Sequence, residues 1–188
     1  MYLEGNVVKK QLALSCFLML LFTGCAQGTP KEIDAKLYNA DGDQVGTAKV
    51  VQQTNGVKIS INGEGFTPGV HGVHIHEMGV CKAPRFVSSG NHLKFDDKQK
   101  HGLLHPEGAE NGDLPNIIAD DKGEIKAEFD VPQVTLEDGK TSLHRKDGAS
   151  IIITESPDDG MTQPTGKSGK RVACGVITKK ASDMNKEK

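Results

Sequence analysis

Apolar positions along this chain fall into short runs, some alternating with polar residues at every second position and others standing as brief blocks of valine and isoleucine. The runs are Ile33–Tyr38, Gly46–Gln53, Val57–Ile61, Val70–His76, Asn116–Ala119, Ile125–Phe129, Ser150–Thr154 and Arg171–Ile177. Alternation sends successive side chains to opposite faces of an extended strand, so each run buries one face and wets the other. Clusters of Gly, Pro, Asn and Asp punctuate the runs, and Asp41-Gly42 and Asn55-Gly56 are hairpin dipeptides. Within the domain no stretch carries the 3.6-residue period of an amphipathic helix. The pattern predicts an all-β fold, an eight-stranded Greek-key barrel or sandwich. Two stretches interrupt it: residues 77–115, which carry Cys81, His92, His101 and His105, and residues 155–170, rich in Gly, Pro, Asp and Lys. Long ordered loops on a β scaffold are where function concentrates.

The first 24 residues follow a different logic. Lys9 and Lys10 precede an apolar run from Leu12 to Phe22, and Thr23-Gly24-Cys25 follows. That order is a secretory signal, and the run is short for a membrane-spanning helix. LFTGC resembles a bacterial lipobox, with Phe22 where leucine is more usual; it makes Cys25 the lipidated first residue of the mature chain, the alternative being a plainly cleaved signal with a leftover cysteine. Residues 25–31 then read as a linker, 32–179 as the domain and 180–188 as a solvated polar tail. Without residues 1–24 the chain holds 21 basic and 24 acidic side chains, a formal net charge of −3. With no basic block beyond the tail, nothing supports a nucleic-acid partner. Cys16 leaves with the signal and Cys25 is taken by the anchor, so Cys81 and Cys174 remain as one pair in an exported protein. They read as a structural disulfide, with two thiols on a redox or metal site as the alternative.

The candidate chemistry is histidine. GVHGVHIHE places His71, His74 and His76, three of the chain's seven histidines, within six positions. His74 and His76 are two apart, so on a strand both imidazoles leave one face and can grip one ion. His92, His101, Glu110 and Asp113 follow, the last three in and around HGLLHPEGAENGDLPN, whose glycines and prolines bend it.

At this point the chain resembles a known family. GVHGVHIHEMGVC, SSGNH, KHG, GDLPN, SPDDG and GKRVACGVI together look like the copper/zinc superoxide dismutases of bacterial exported type, from about residue 33 to residue 178. The resemblance implies copper on His74 and His76, with His92 bridging copper and zinc. It implies zinc on His92, His101 and Asp113, and a hydrogen-bonding rather than ligating role for His71. Asp158 would link the two sites by accepting from a histidine of each. Arg171 would lie beside copper and attract superoxide, and Cys81–Cys174 would tie the long loop to the barrel.

Three departures qualify the implied activity. The fourth copper histidine is expected where IIITESPDD places Thr154, and a hydroxyl is a poor copper ligand beside imidazole. The middle zinc histidine is Glu110, a carboxylate that still suits Zn²⁺, so the set becomes His92, His101, Glu110 and Asp113. The segment after His92 reads Leu93-Lys94-Phe95 instead of the usual FNP. His105 and His144 are spare histidines outside any ligand motif. The expectation is a membrane-anchored, extracytoplasmic dismutase-like metal-binding lipoprotein that keeps zinc and holds copper weakly. Superoxide dismutation would be weak or absent. The alternative is an active copper/zinc superoxide dismutase with an unusual copper site.

Overall fold

The computed structural model describes residues 31–177. The expected signal segment, Cys25, almost all of the linker and the polar tail lie outside the described residues.

Nine strands form one antiparallel sheet: β1 (Glu32–Asn39), β2 (Gln44–Gln52), β3 (Val57–Gly63), β4 (Gly69–His71), β5 (Val73–His76), β6 (Ile117–Ala119), β7 (Ile125–Val131), β8 (Ala149–Thr154) and β9 (Arg171–Ile177). The order is β4-β6-β7-β3-β2-β1-β9-β8-β5. The two outermost members, β4 and β5, are consecutive in sequence, so the sheet curls until its ends meet at one residue, Gly72. This accounts for nine strands where the pattern predicts eight. The single run Val70–His76 is divided because its first half pairs with β6 and its second with β8.

Gly72 sits at the changeover for a steric reason. Its N–H donates to Ser156 O at 2.9 Å and its carbonyl accepts from Thr154 N–H at 2.9 Å. A Cβ there would lie 2.5 Å from Thr154 Oγ1, closer than real contacts allow.

Alternation fills the barrel as expected. Ile33, Ala35 and Leu37 of β1, Val57, Ile59 and Ile61 of β3, Val73 and Ile75 of β5, and Ile151 and Ile153 of β8 all enter one core. Burial of such side chains is the main favourable term of folding, about 1.5–3 kcal/mol each. β8 is buried on both faces, because Ile152 points outward into a second cluster with Phe86 and Cys174. That outer cluster pins the first half of loop 77–116 to the barrel wall, and the Cys81–Cys174 disulfide sews it there. A third long connection, residues 132–148 between β7 and β8, packs Val134, Leu136 and Leu143 into the core.

The disulfide closes a loop across a separation of 93 residues. Chain entropy assigns such a crosslink about 4–5 kcal/mol. Cys81→Ser is expected to destabilise the metal-free protein by about that amount, read from denaturant midpoints at constant slope.

Candidate metal centre

β5 supplies the first two donors. His74 lies opposite Ile152 and His76 opposite Ser150, so both rings leave the barrel's outer face. Neither is wetted, because loop 77–116 folds back over them. The loop is bonded to the free edge of β5: Ile75 N–H donates to Gly112 O at 2.8 Å and Leu93 N–H to Ile75 O at 2.8 Å, while Gly112 N–H donates to Leu93 O at 2.7 Å and ties the two loop segments together. Isolated bridges put His74 beside Asp113 and His76 beside His92. Gly112 is required at this crossing, since a Cβ would collide with the Ile75 carbonyl.

Four donor atoms converge under the loop. His92 Nδ1 is 3.1 Å from His101 Nδ1 and 3.0 Å from Asp113 Oδ1, and His101 Nδ1 is 2.9 Å from Asp113 Oδ1. Glu110 Oε2 lies 3.5 Å from His92 Nδ1 and 3.9 Å from His101 Nδ1. A tetrahedral zinc ion with bonds of about 2.0–2.1 Å sets its ligand atoms about 3.3–3.4 Å apart, so the spacing suits that ion. The rest of each group is already committed. Asp113 Oδ2 accepts from the N–H groups of Gly102 (2.8 Å) and Glu110 (3.0 Å), leaving Oδ1 for the centre. His101 Nε2–H donates to Asp158, so that Nδ1 is the nitrogen turned to the centre.

His74 and His76 are readied in the same manner. His74 Nε2–H donates to Asp158 Oδ2 at 2.6 Å, and His76 Nδ1–H donates to Gly90 O at 3.0 Å. In each ring the other nitrogen then carries a lone pair. Those atoms, His74 Nδ1 and His76 Nε2, are buried and have no hydrogen-bond partner. A buried polar atom left unpaired costs about 1–3 kcal/mol, and a metal ion relieves that cost. His74 stacks on His92 with centroids 4.0 Å apart, and the centroid of His76 is 5.0 Å from that of His92. Three imidazoles therefore border one space, and His92 faces the second donor group with its Nδ1.

Electrostatics divide the cluster into two parts. Burial lowers the basicity of His74 against the pull of Asp158, and burial drives that of His76 well below its usual value, with His92 and Arg171 adding to the effect. Both shifts favour the neutral form, the state a metal ligand needs. Burial also opposes charge on His92 and His101, but their carboxylate partners outweigh it. His92 is raised by Asp113 and Glu110, and His101 is raised to about 10 by Asp113 and Asp158. Asp113 and Asp158 are held far below the usual carboxylate range by the same hydrogen bonds, against the effect of burial. The carboxylate side thus attracts a cation, and the β5 side offers neutral nitrogen.

The remaining expected residues sit around this core. His71 is turned away, its ring nitrogens 2.8 Å from Thr154 O and 2.8 Å from Thr67 O. The Arg171 guanidinium donates to Phe86 O, Ser89 Oγ and Gly90 O at 2.8–2.9 Å, which fixes it next to the carbonyl that orients His76. Thr154 is buried, and its hydroxyl donates to Ser156 O at 3.2 Å. His74, His92, His101 and Asp113 have ligand atoms all within 4.8 Å of one another, and neither His105 nor His144 belongs to this group. His105 Nδ1 accepts from Glu107 N–H within its own turn.

Comparison with known proteins bears on these geometries. A model of the copper/zinc superoxide dismutase family matches residues 44–177. Superoxide dismutase [Cu-Zn] 2 of Aquifex aeolicus is 44% identical over 145 residues, which cover 76% of this chain and 84% of that protein. The crystal structure of a superoxide dismutase-like protein from Bacillus subtilis superposes with a TM-score of 0.73 at 33% identity, covering 77% of this chain and 97% of that one. The copper/zinc superoxide dismutase of Brucella abortus superposes with a TM-score of 0.62 at 29% identity, covering 78% and 99%.

Two amides escape a reading of motifs yet hold the cluster together. Gln163 pairs with the His101 backbone in both directions, its Oε1 accepting from His101 N–H at 3.0 Å and its Nε2 donating to His101 O at 2.7 Å. Asn116 does the same for Asp158, accepting its N–H at 2.9 Å and donating to its carbonyl at 2.8 Å. Each clamp joins loop 77–116 to loop 155–170. The sequence signal for Asn116 is its place in GDLPN, whereas Gln163 carries none. Gln163→Ala is expected to weaken zinc binding about 10–100-fold, the usual scale for a residue that orients a ligand. Gln163→Glu, which keeps the acceptor and loses the donor, should fall between the two in a competitive chelator titration.

Proposed function

The chain belongs to the copper/zinc superoxide dismutase family, and from that premise we propose that it is a dismutase-like metal-binding lipoprotein outside the cytoplasm, with weak or absent superoxide dismutation. The observation that carries this reading is Thr154. It stands on the His74 and His76 side of the sheet, at the place the sequence pattern reserves for a fourth copper histidine, and its hydroxyl proton is committed to Ser156 O. The family binds copper and zinc, and the cluster of His74, His92, His101 and Asp113 is suited to metal. In this reading zinc is held by His92, His101, Glu110 and Asp113, and copper by His74, His76 and His92 alone.

Copper, when bound, supplies one-electron redox chemistry between its two oxidation states, oxidising one superoxide to O2 and reducing a second, with two protons, to H2O2. The protein residues do the rest. Gly90 O and Asp158 fix the tautomers of His76 and His74, and Asp158 ties His74 to His101 so that the two donor groups are held in register. Arg171, fastened to the 86–90 turn, provides positive charge for an approaching anion. Without a fourth imidazole, copper binding and control of its potential both weaken.

The Cys81–Cys174 disulfide fits an exported protein. Lipidation of Cys25 after removal of residues 1–24 would anchor it to the membrane, with 25–31 as tether and 180–188 as a polar tail. The second reading, an active dismutase, draws on the retained Arg171 and Asp158 contacts.

Thr154→His is expected to raise copper affinity about tenfold or more, the equivalent of at least 1.4 kcal/mol for one added ligand contact. Dismutase turnover should rise from near background with it. High turnover in the wild type, abolished by His76→Ala, would favour the second reading. Asp113→Ala is expected to cost at least about 100-fold in zinc affinity, since an ordinary outer partner already costs 10–100-fold. Elemental analysis after loading and desalting measures this, and full zinc retention in that variant would overturn the zinc assignment.

A further inference from the structure

An asparagine followed by glycine exposes its side-chain amide to the next backbone nitrogen, because glycine puts no side chain in the way. The chain holds three such pairs, Asn55-Gly56, Asn62-Gly63 and Asn111-Gly112. Their settings differ. Asn55 is exposed in the hairpin between β2 and β3. Asn62 lies within β3, whose backbone is paired with β2 on one side and β7 on the other. Asn111 and Gly112 are the two central residues of the turn 110–113, closed by Asp113 N–H donating to Glu110 O at 3.2 Å.

The third pair is locked only while that turn is docked on β5. Gly112 N–H donates to Leu93 O at 2.7 Å, and Gly112 O accepts from Ile75 N–H at 2.8 Å. Asn111 Oδ1 accepts from Phe95 N–H at 3.0 Å, which fixes the side-chain amide. Attack of the nitrogen on the amide requires the bonds to Leu93 and Phe95 to break. Both belong to the loop and not to the barrel ladder, so a local opening releases them without global unfolding. Asp113 Oδ1, next along the turn, faces His92 and His101, so an ion at that cluster adds a tie to the same turn.

We infer that Asn111-Gly112 is a modification site, converted through a cyclic imide to isoaspartate when the turn 110–113 leaves β5, and that the conversion retires the metal cluster of chains that hold no zinc. The Gly112 nitrogen attacks Asn111 Cγ, the new N–Cγ bond replaces Cγ–Nδ2, and ammonia leaves with the proton that nitrogen gives up. Water then opens the ring at the main-chain carbonyl carbon to give isoaspartate, or at Cγ to give aspartate; no oxidant or reductant takes part. Isoaspartate lengthens the main chain by one carbon just ahead of Gly112. At that crossing an added Cβ would already lie 2.1 Å from Ile75 O and 2.7 Å from Leu93 N. The lengthened turn cannot keep both Gly112 bonds and still present Asp113 Oδ1 to the cluster. The zinc dependence rests on the assignment of Asp113 proposed above.

The test ages the full-length protein, metal-free and zinc-loaded, and follows each Asn-Gly peptide by mass spectrometry, with enzymatic methylation to count isoaspartate. Asn55 should convert at one rate in both samples, and Asn62 should stay intact in both. Because zinc binds the docked form, it slows a step that needs opening by the factor 1 + [Zn]/Kd, about tenfold at free zinc about ten times Kd. Asn111 should show that slowing. In metal-free protein, urea below the unfolding transition should speed Asn111 conversion in step with hydrogen exchange at the Gly112 amide, leaving Asn62 intact. Aged chains carrying isoaspartate at 111 should lose most of their zinc on desalting, while Asn111→Gln, whose ring would need six members, keeps it through the same incubation. Conversion of Asn111 that ignores Gly112 exchange would overturn the inference, as would isoaspartate chains that hold zinc like fresh ones. Fresh protein that retains no zinc would instead defeat the zinc assignment, and the urea series would still judge the gating of Asn111.

Discussion

Two backbone hydrogen bonds at the free edge of β5, and a third between the loop segments that cover it, decide where the loop's candidate ligands go. Ile75 N–H bonds Gly112 O, Leu93 N–H bonds Ile75 O, and Gly112 N–H bonds Leu93 O. Two loop segments are thereby laid along a strand whose other edge belongs to β8. The barrel needs this, because an unpaired edge of β5 would leave buried peptide groups unsatisfied. The same bonds place His92 beside His76 and Asp113 beside His74. Closing the barrel and assembling the cluster are one event, so the donors are held by the fold before any ion arrives. At Gly112 nothing larger than hydrogen fits between two backbones.

Holding donors ready in a dry interior has an electrostatic cost, and the arrangement of carboxylates meets it. Asp158 accepts from His74 and from His101, while Asp113 faces His92 and His101. Each carboxylate is kept ionised by those contacts despite burial, and Asp158 fixes the tautomers of His74 and His101. His76, out of reach of a carboxylate contact, is oriented by the Gly90 carbonyl, which Arg171 also holds. Neutral nitrogens on one side and paired charges on the other follow from which loop covers which ring. The amide clamps of Gln163 and Asn116 keep the two loops from sliding apart.

The parts legible in the sequence are those written in local pattern. Alternation located the strands, and the hairpin dipeptides located two turns. The two-residue spacing of His74 and His76 predicted a shared face, which the register with Ile152 and Ser150 bears out. The gathering of His92, His101, Glu110 and Asp113 was anticipated from the family resemblance rather than from spacing alone. The rest depends on contacts distant in the chain. Gly72 divides one run into two strands because Thr154, 82 positions later in numbering, pairs with it. Gln163 reaches His101 across 62 residues without any motif around it. No local rule reports such pairings, since a loop can bring any glutamine to any backbone.

Two of the departures from the family pattern, Glu110 and Thr154, differ in consequence because they sit on different kinds of backbone. Glu110 lies in a bent loop at the rim of its cluster, and its longer side chain already brings Oε2 to 3.5 Å from His92 Nδ1. A loop can adjust by tenths of an ångström to bring an oxygen donor to an ion that accepts oxygen readily. Thr154 lies in β8, bonded to β5 and β9, buried on both sides and capped by its own bond to Ser156 O. Its side chain is short and its backbone cannot advance without breaking the barrel. In the reading proposed above, a substitution in the loop therefore changes the donor and keeps the site, whereas one in the strand removes a donor.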